Sequence, residues 1–263
     1  MMRARSWLFV PGHRPERFDK ALAARADRVI IDLEDAVAPA DKGAARDAVS
    51  RWLDASRPVV LRINAADSDE FEDDLRLCAQ PGIEAIVLPK AERLDSLARV
   101  AEAAPQAALL PLVESARGFS AREALAGAPG VERLLFGSID FQLDLGSQAT
   151  EEELLPVRLG LVLACRLAGI AAPIDGVTPV IDDAGLLRQE AARARRLGFA
   201  GKLCIHPRQL APVHEAFSPS EAELAWARRV MSAAAAAKGA AVKVDGQMVD
   251  RPVLLRAQTL LAS

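Results

Sequence analysis

Eleven polar residues share one placement in this chain of 263 residues: Asp32, Glu34, Asp35, Arg62, Asn64, Lys90, Glu114, Ser138, Asp140, Asp175 and His206 each sit at or just past the end of a short apolar run. If those runs are parallel strands, the polar residues converge on one rim, where an active site is built rather than a core. Carboxylates from several strands cannot meet uncompensated, because two charges 4 Å apart interact by about 4 kcal/mol at an effective dielectric of 20. A cation answers that repulsion. Carboxylate oxygens with room for water suit Mg2+, with Mn2+ as the substitute, and no paired His or Cys offers zinc softer ligands. By position the best ligand pair is Glu114 and Asp140. Spacing alone leaves a second reading open, in which both are ion-pair partners of Arg62 and Lys90. Arg62 is equally open between a substrate contact and a neutraliser of Glu34 or Asp35. His206 before Pro207 fits a hydrogen-bonded strand-end histidine better than a catalytic base, and His13 and His214 read as solvent-facing. Asp32, inside an apolar run, reads as a buried structural carboxylate.

The elements that would position this rim recur eight times. Strands are expected at Trp7–Val10, Arg28–Leu33, Val59–Ile63, Ala85–Leu88, Leu109–Val113, Leu134–Phe136, Ala171–Ile174 and Lys202–Ile205. Between them PERFDKALAARA, EDDLRLCA, RLDSLARVAEAA and DAGLLRQEAARARRLG carry apolar residues at helical spacing. Eight β-α units within residues 1–217 predict a (β/α)8 TIM barrel, which typically needs about 250 residues. The rival, a doubly wound open sheet, is expected to carry a glycine-rich phosphate loop, and neither GxGxxG nor a GKS/GKT loop occurs. Residues 218–263 differ. Ser218 or Ser220 opens a helix running to Gly239, Asp245-Gly246 marks a hairpin turn, and Pro252 starts a last helix, giving a helical arm and a lid-like tail. By default Asp250 is that helix's N-terminal carboxylate.

Composition narrows the class of function. Lys+Arg 33 against Asp+Glu 36 leaves a formal charge of -3, so nucleic acid and anionic membranes are not expected partners. Aromatic residues make up 4% with no Tyr, which leaves few platforms for stacking bases. Cys78, Cys165 and Cys204 are widely spaced among apolar neighbours, the pattern of a reducing compartment. The opening MMRARSWLFVPGH has too short an apolar run for a signal peptide, and no run approaches the roughly 18 apolar residues of a membrane span. A cytoplasmic location is the expectation.

RSWLFVPGHRPERFDKA, IIDLEDAVAPADKGAAR, LRIN, IVLPKAE, PLVESARG, LLFGSIDF, PIDGVTP and GKLCIHPRQL stand in an order that resembles the citrate lyase beta-subunit-like proteins of the HpcH/HpaI aldolase superfamily. The tail block VDGQMVDRP is similar to that of malyl-CoA and citramalyl-CoA lyases. The resemblance implies a metal-dependent barrel in which Glu114 and Asp140 ligate Mg2+. It implies that Arg62 contacts substrate oxygens, and that Glu34 and Asp35 hold metal-bound water. It also implies that Asp250 reaches the active site of a neighbouring subunit in a trimer or hexamer. The implied reaction is cleavage of a 3-hydroxyacyl-CoA into acetyl-CoA and a small 2-oxo acid. Alternatives are an aldolase acting on free 2-oxo acids, a citrate lyase beta subunit working on an acyl-carrier partner, and a non-catalytic metal- or CoA-binding protein. Against the first, the only early-loop histidine is His13; against the second, the tail supplies a lid of its own.

Overall fold

A computed structural model describes residues 4–149, 152–236 and 242–262. The expected strands form β1 (Ser6–Pro11), β2 (Arg28–Asp32), β3 (Val59–Arg62), β4 (Ile83–Leu88), β5 (Ala108–Val113), β6 (Leu135–Phe136), β7 (Ile174–Asp175) and β8 (Gly201–Cys204). They pair in sequence order, all parallel, and β1 pairs with β8 through Trp7↔Leu203, so the sheet closes into an eight-stranded α/β barrel. Trp7, Ile30, Val60, Val87, Leu112, Leu135, Ile174 and Leu203 fill its interior. With so few aromatics, aliphatic side chains do most of that filling.

The helices α1 (Phe18–Ala23), α2 (Lys42–Trp52), α3 (Phe71–Cys78), α4 (Leu94–Ala103), α5 (Ala116–Ser120), α6 (Arg122–Ala126), α7 (Ser138–Asp144), α8 (Leu155–Ala168), α9 (Ala184–Leu197) and α10 (Leu210–Phe217) lie between and after the strands. The sequence marks their ends locally. Asp183 caps α9 by accepting from the N–H of Leu186, and Gly198 closes it with φ 107°, a left-handed residue that suits glycine.

The chain divides into two compact units, residues 1–214 and 215–263. In the second, α11 (Glu221–Ala236) starts with a capping box: Ser220 N–H donates to Glu223 Oε2 and Glu223 N–H to Ser220 Oγ. The expected end at Gly239 lies outside the described residues. β9 (Val242–Val244) and β10 (Gln247–Val249) form an antiparallel hairpin around Asp245 and Gly246, whose φ values of 50° and 84° are those of the expected tight turn. α12 (Arg251–Leu261) packs on α11 around Ala227, Val230, Val249 and Ala257, with Arg256 stacked 5.2 Å over Trp226. No described helix is long and apolar enough to cross a membrane.

Candidate active site

Alternation along the strands decides what reaches the barrel mouth. Trp7, Ile30, Val60, Leu112 and Leu135 face inward, so two residues later Phe9, Asp32, Arg62, Glu114 and Gly137 face inward one layer nearer the C-terminal end. Asp32 and Arg62 are register partners on β2 and β3. Arg62 donates from Nε and Nη2 to the two Asp32 oxygens at 2.7 and 2.6 Å, a bidentate clamp. Its Nη1 points onward, 2.9 Å from Glu34 Oε2 and 3.5 Å from Asp35 Oδ2, and its guanidinium lies 4.8 Å over the Phe9 ring. Asp32 also accepts the N–H groups of Glu34 and Ala36. It is therefore the structural carboxylate expected, and it is the principal partner of Arg62.

Glu114 sits at the end of β5, 4% exposed. The N–H of Lys90 donates to its Oε2 at 2.9 Å, and Lys90 adopts φ 47°, a strained backbone for a side-chain-bearing residue, to aim that N–H. Gly137 is required beside it: a Cβ there would stand 2.5 Å from Glu114 Oε1. Asp140 is not a strand-end residue as expected but lies in the first turn of α7, half-buried. A cavity of about 500 Å3 is lined by Phe9, Asp32, Asp35, Arg62, Glu114 and Asp140. A second, of about 620 Å3, shares Glu114 and Asp140 and opens past Lys90, Ser115 and Asp144. The two carboxylates thus stand where an inner chamber meets an outer groove.

Burial, and then the charge of Glu34, push Glu114 up to about 8. Burial pushes Glu34 up to about 7 against the opposing charge of Arg62. The carboxylates of Asp32 and Glu34 more than offset burial at Arg62, whose guanidinium is held charged. Two crowded acids that resist ionising on their own are a site short of positive charge. Glu114 and Asp140 line both cavities and offer carboxylate oxygens of the kind a divalent cation takes. Among the described residues no three His, Cys, Asp or Glu side chains form a ready-made metal cage. A pair of carboxylates with remaining positions for water and substrate suits Mg2+ better than zinc, which favours His and Cys ligands.

The other polar residues singled out in the sequence take different roles. Asp175 follows the inward Ile174 and so faces the helices. It takes Arg158 Nε of α8 at 2.8 Å, with Lys202 Nζ of β8 3.5 Å away, in a buried ion cluster. His206 accepts the Arg208 N–H through Nδ1, the strand-end role expected. His214 is not solvent-facing: its Nε2 lies 2.7 Å from Ser6 Oγ and 3.3 Å from Asp27 Oδ2. Asp250 belongs to the second unit, where it caps α12 by accepting the Val253 N–H at 3.2 Å. Sequence reasoning missed the main-chain donor at Lys90 and the need for Gly137. The glycine directly before Ser138 was the one available signal.

A sequence profile of the HpcH/HpaI aldolase/citrate lyase family matches residues 5–207. The citrate lyase subunit beta-like protein of Deinococcus radiodurans is 41% identical, over 98% of this chain and 96% of its own length. The (3S)-malyl-CoA thioesterase of Cereibacter sphaeroides is 35% identical over 98% of this chain and 93% of its own. Among solved structures, the CitE protein of Mycobacterium tuberculosis in complex with magnesium, acetoacetate and coenzyme A superposes with a TM-score of 0.88. That match has 40% identity and covers 99% of this chain and 98% of the other.

Proposed function

This chain belongs to the HpcH/HpaI aldolase/citrate lyase family of enzymes, and on that premise we propose that it is a Mg2+-dependent CoA-ester lyase. Its substrate is a 3-hydroxyacyl-CoA of the malyl-, citramalyl- or citryl-CoA type, and its products are acetyl-CoA and a small 2-oxo acid. The observation that carries this reading is the meeting of Glu114, Asp140 and the Asp32-clamped Arg62 around one cavity mouth. The magnesium and coenzyme A in the solved M. tuberculosis relative agree with it.

Glu114 and Asp140 would hold the ion, which when bound would supply Lewis-acid polarisation and a template for the substrate's oxygens. Glu34 and Asp35 would be the residues that accept hydrogen bonds from water on that ion. Asp32 keeps the guanidinium plane of Arg62 fixed, so that Nη1 meets the substrate oxygen that changes charge as the C–C bond breaks. In cleavage the hydroxyl passes its proton to solvent water and becomes the carbonyl of the 2-oxo acid. The bonding pair passes to the carbon next to the thioester, and that acetyl-CoA enolate takes a proton from a general acid. Asp250, delivered by a neighbouring copy in a trimer or hexamer, is the residue proposed for that transfer.

The test is release of acetyl-CoA from a panel of these thioesters, with Mg2+ present and then chelated. Cleavage that stops on chelation supports the reading. Cleavage indifferent to chelation, or no acetyl-CoA from any thioester, overturns it. Release of free CoA together with the intact hydroxy acid, without C–C cleavage, would overturn it in favour of the activity named for the thioesterase relative.

A further inference from the structure

The PADKGAAR stretch holds two cations, Lys42 and Arg46, that the mechanism above does not use. Lys42, in the first turn of α2, donates from Nζ to the carbonyls of Leu33 and Glu34 at 2.8 and 3.0 Å, and to Asn64 Oδ1 at 2.5 Å. All three acceptors are neutral, so the ammonium acts here as a junction of donors rather than as half of an ion pair. Asn64 is itself fixed. Its N–H and its Nδ2 both donate to Oδ2 of the fully buried Asp74, which turns Oδ1 toward Lys42. Arg46 Nη1 occupies the other Asp74 oxygen at 3.1 Å and also reaches Glu70 at 2.6 Å. A continuous chain of contacts therefore runs from α3 through the end of β3 and the start of α2 to the main chain of residues 33 and 34.

That main chain carries Glu34. Its N–H is held by Asp32 and its carbonyl by Lys42, while its carboxylate faces Arg62 and, at 3.6 Å, Lys90. β3 and the residues just after it thus hold this segment twice, through Arg62 at Asp32 and through Asn64 by way of Lys42. We propose that Lys42 is a positioning residue for the reaction, setting the place of the Glu34 carboxylate beside the Mg2+ site through the 33–34 carbonyls. The inference rests on the reading of Glu34 as the holder of metal-bound water, because outer partners of this kind tune metal affinity by about 10- to 100-fold.

A double-mutant cycle with Lys42→Met and Glu34→Gln tests it, reading Mg2+ affinity by calorimetry alongside kcat and KM for the thioester. Each single change is expected to weaken Mg2+ about 10-fold, and the double variant no more than about twofold beyond the weaker single. A melting temperature lowered without any change in Mg2+ affinity would make Lys42 merely structural and overturn the proposal. So would additive losses near 100-fold in the double variant. If Glu34→Gln alone leaves Mg2+ affinity intact, the reading of Glu34 falls and the proposal falls with it. Additive losses with an impaired Glu34→Gln remove the role of Lys42 only. Should Lys42→Met not fold, Lys42→Arg keeps the charge but cannot bring one nitrogen to all three acceptors, and the same cycle is run with it.

Discussion

Arg62 spends two of its nitrogens on Asp32 and presents the third to the site, an arrangement only a planar fork allows. Lys in its place keeps the charge but cannot be clamped and point onward at once. Arg62→Lys is therefore expected to lower turnover by about 100-fold or more, with near-normal kinetics returning Arg62 to a neutralising role. Glu114→Gln or Asp140→Asn is expected to abolish Mg2+ binding in calorimetry while circular dichroism stays that of a folded barrel. Gly137→Ala tests the same site from the backbone. A methyl group cannot share space with the Glu114 carboxylate, so the carboxylate must move and Mg2+ binding should be lost with it.

Among the elements, β7, β8, α8 and α9 hold the buried cluster of Asp175, Arg158, Lys202 and Glu190. The charges of Lys202 and Arg158 hold the Asp175 carboxyl below its usual range in spite of burial. Asp175→Ala leaves two buried cations without their shared partner, and a loss of about 3–5 kcal/mol in urea unfolding is expected. Asp175 also shows where the sequence stopped being legible. Seven of the eight strands could be placed because each contains a short aliphatic run, whereas the seventh, expected at Ala171–Ile174, lies at Ile174–Asp175; Arg62 and Glu114 could be found because they end such runs. β7, by contrast, is two residues long and offers no alternation from which to read the facing of Asp175. The clamp between Asp32 and Arg62 depends on register between strands 30 positions apart, and the reach of Lys42 to Asn64 on a helix start. Neither leaves a periodic trace. Asp140 was found by its motif, although the chain reaches it through a helical turn and not a strand end.

For the whole molecule, the raised Glu114 and Glu34 predict how the metal-free protein responds to pH. Between about 4.5, where these acids ionise in the unfolded chain, and about 8, the folded chain holds protons that the unfolded chain has lost. Stability of the metal-free protein should therefore contribute most below pH 4.5 at these two groups and fall as pH rises toward 8. Saturating Mg2+ should remove that decline, and urea midpoints with and without chelator at pH 5 and pH 8 read it. The proposed sharing of Asp250 is tested by co-expressing Glu114→Gln with Asp250→Ala, each inactive alone. Random mixing in a closed ring pairs an intact barrel with an intact donated tail at about a quarter of the sites. Mixed oligomers that stay inactive would return Asp250 to its capping role on α12.

The absence of tyrosine gives the two compact units separate optical labels. Near-ultraviolet emission in this chain comes from Trp7, Trp52 and Trp226 alone. Trp7 lies in the barrel interior and Trp52 on α2, against Phe18 and under the Arg57 guanidinium, whereas Trp226 lies under Arg256 in the second unit. A chain carrying Trp7→Phe and Trp52→Phe would glow only from residues 215–263, and a Trp226→Phe chain only from residues 1–214. Each unit thus carries its own lamp, and the melting of one can be watched without the light of the other.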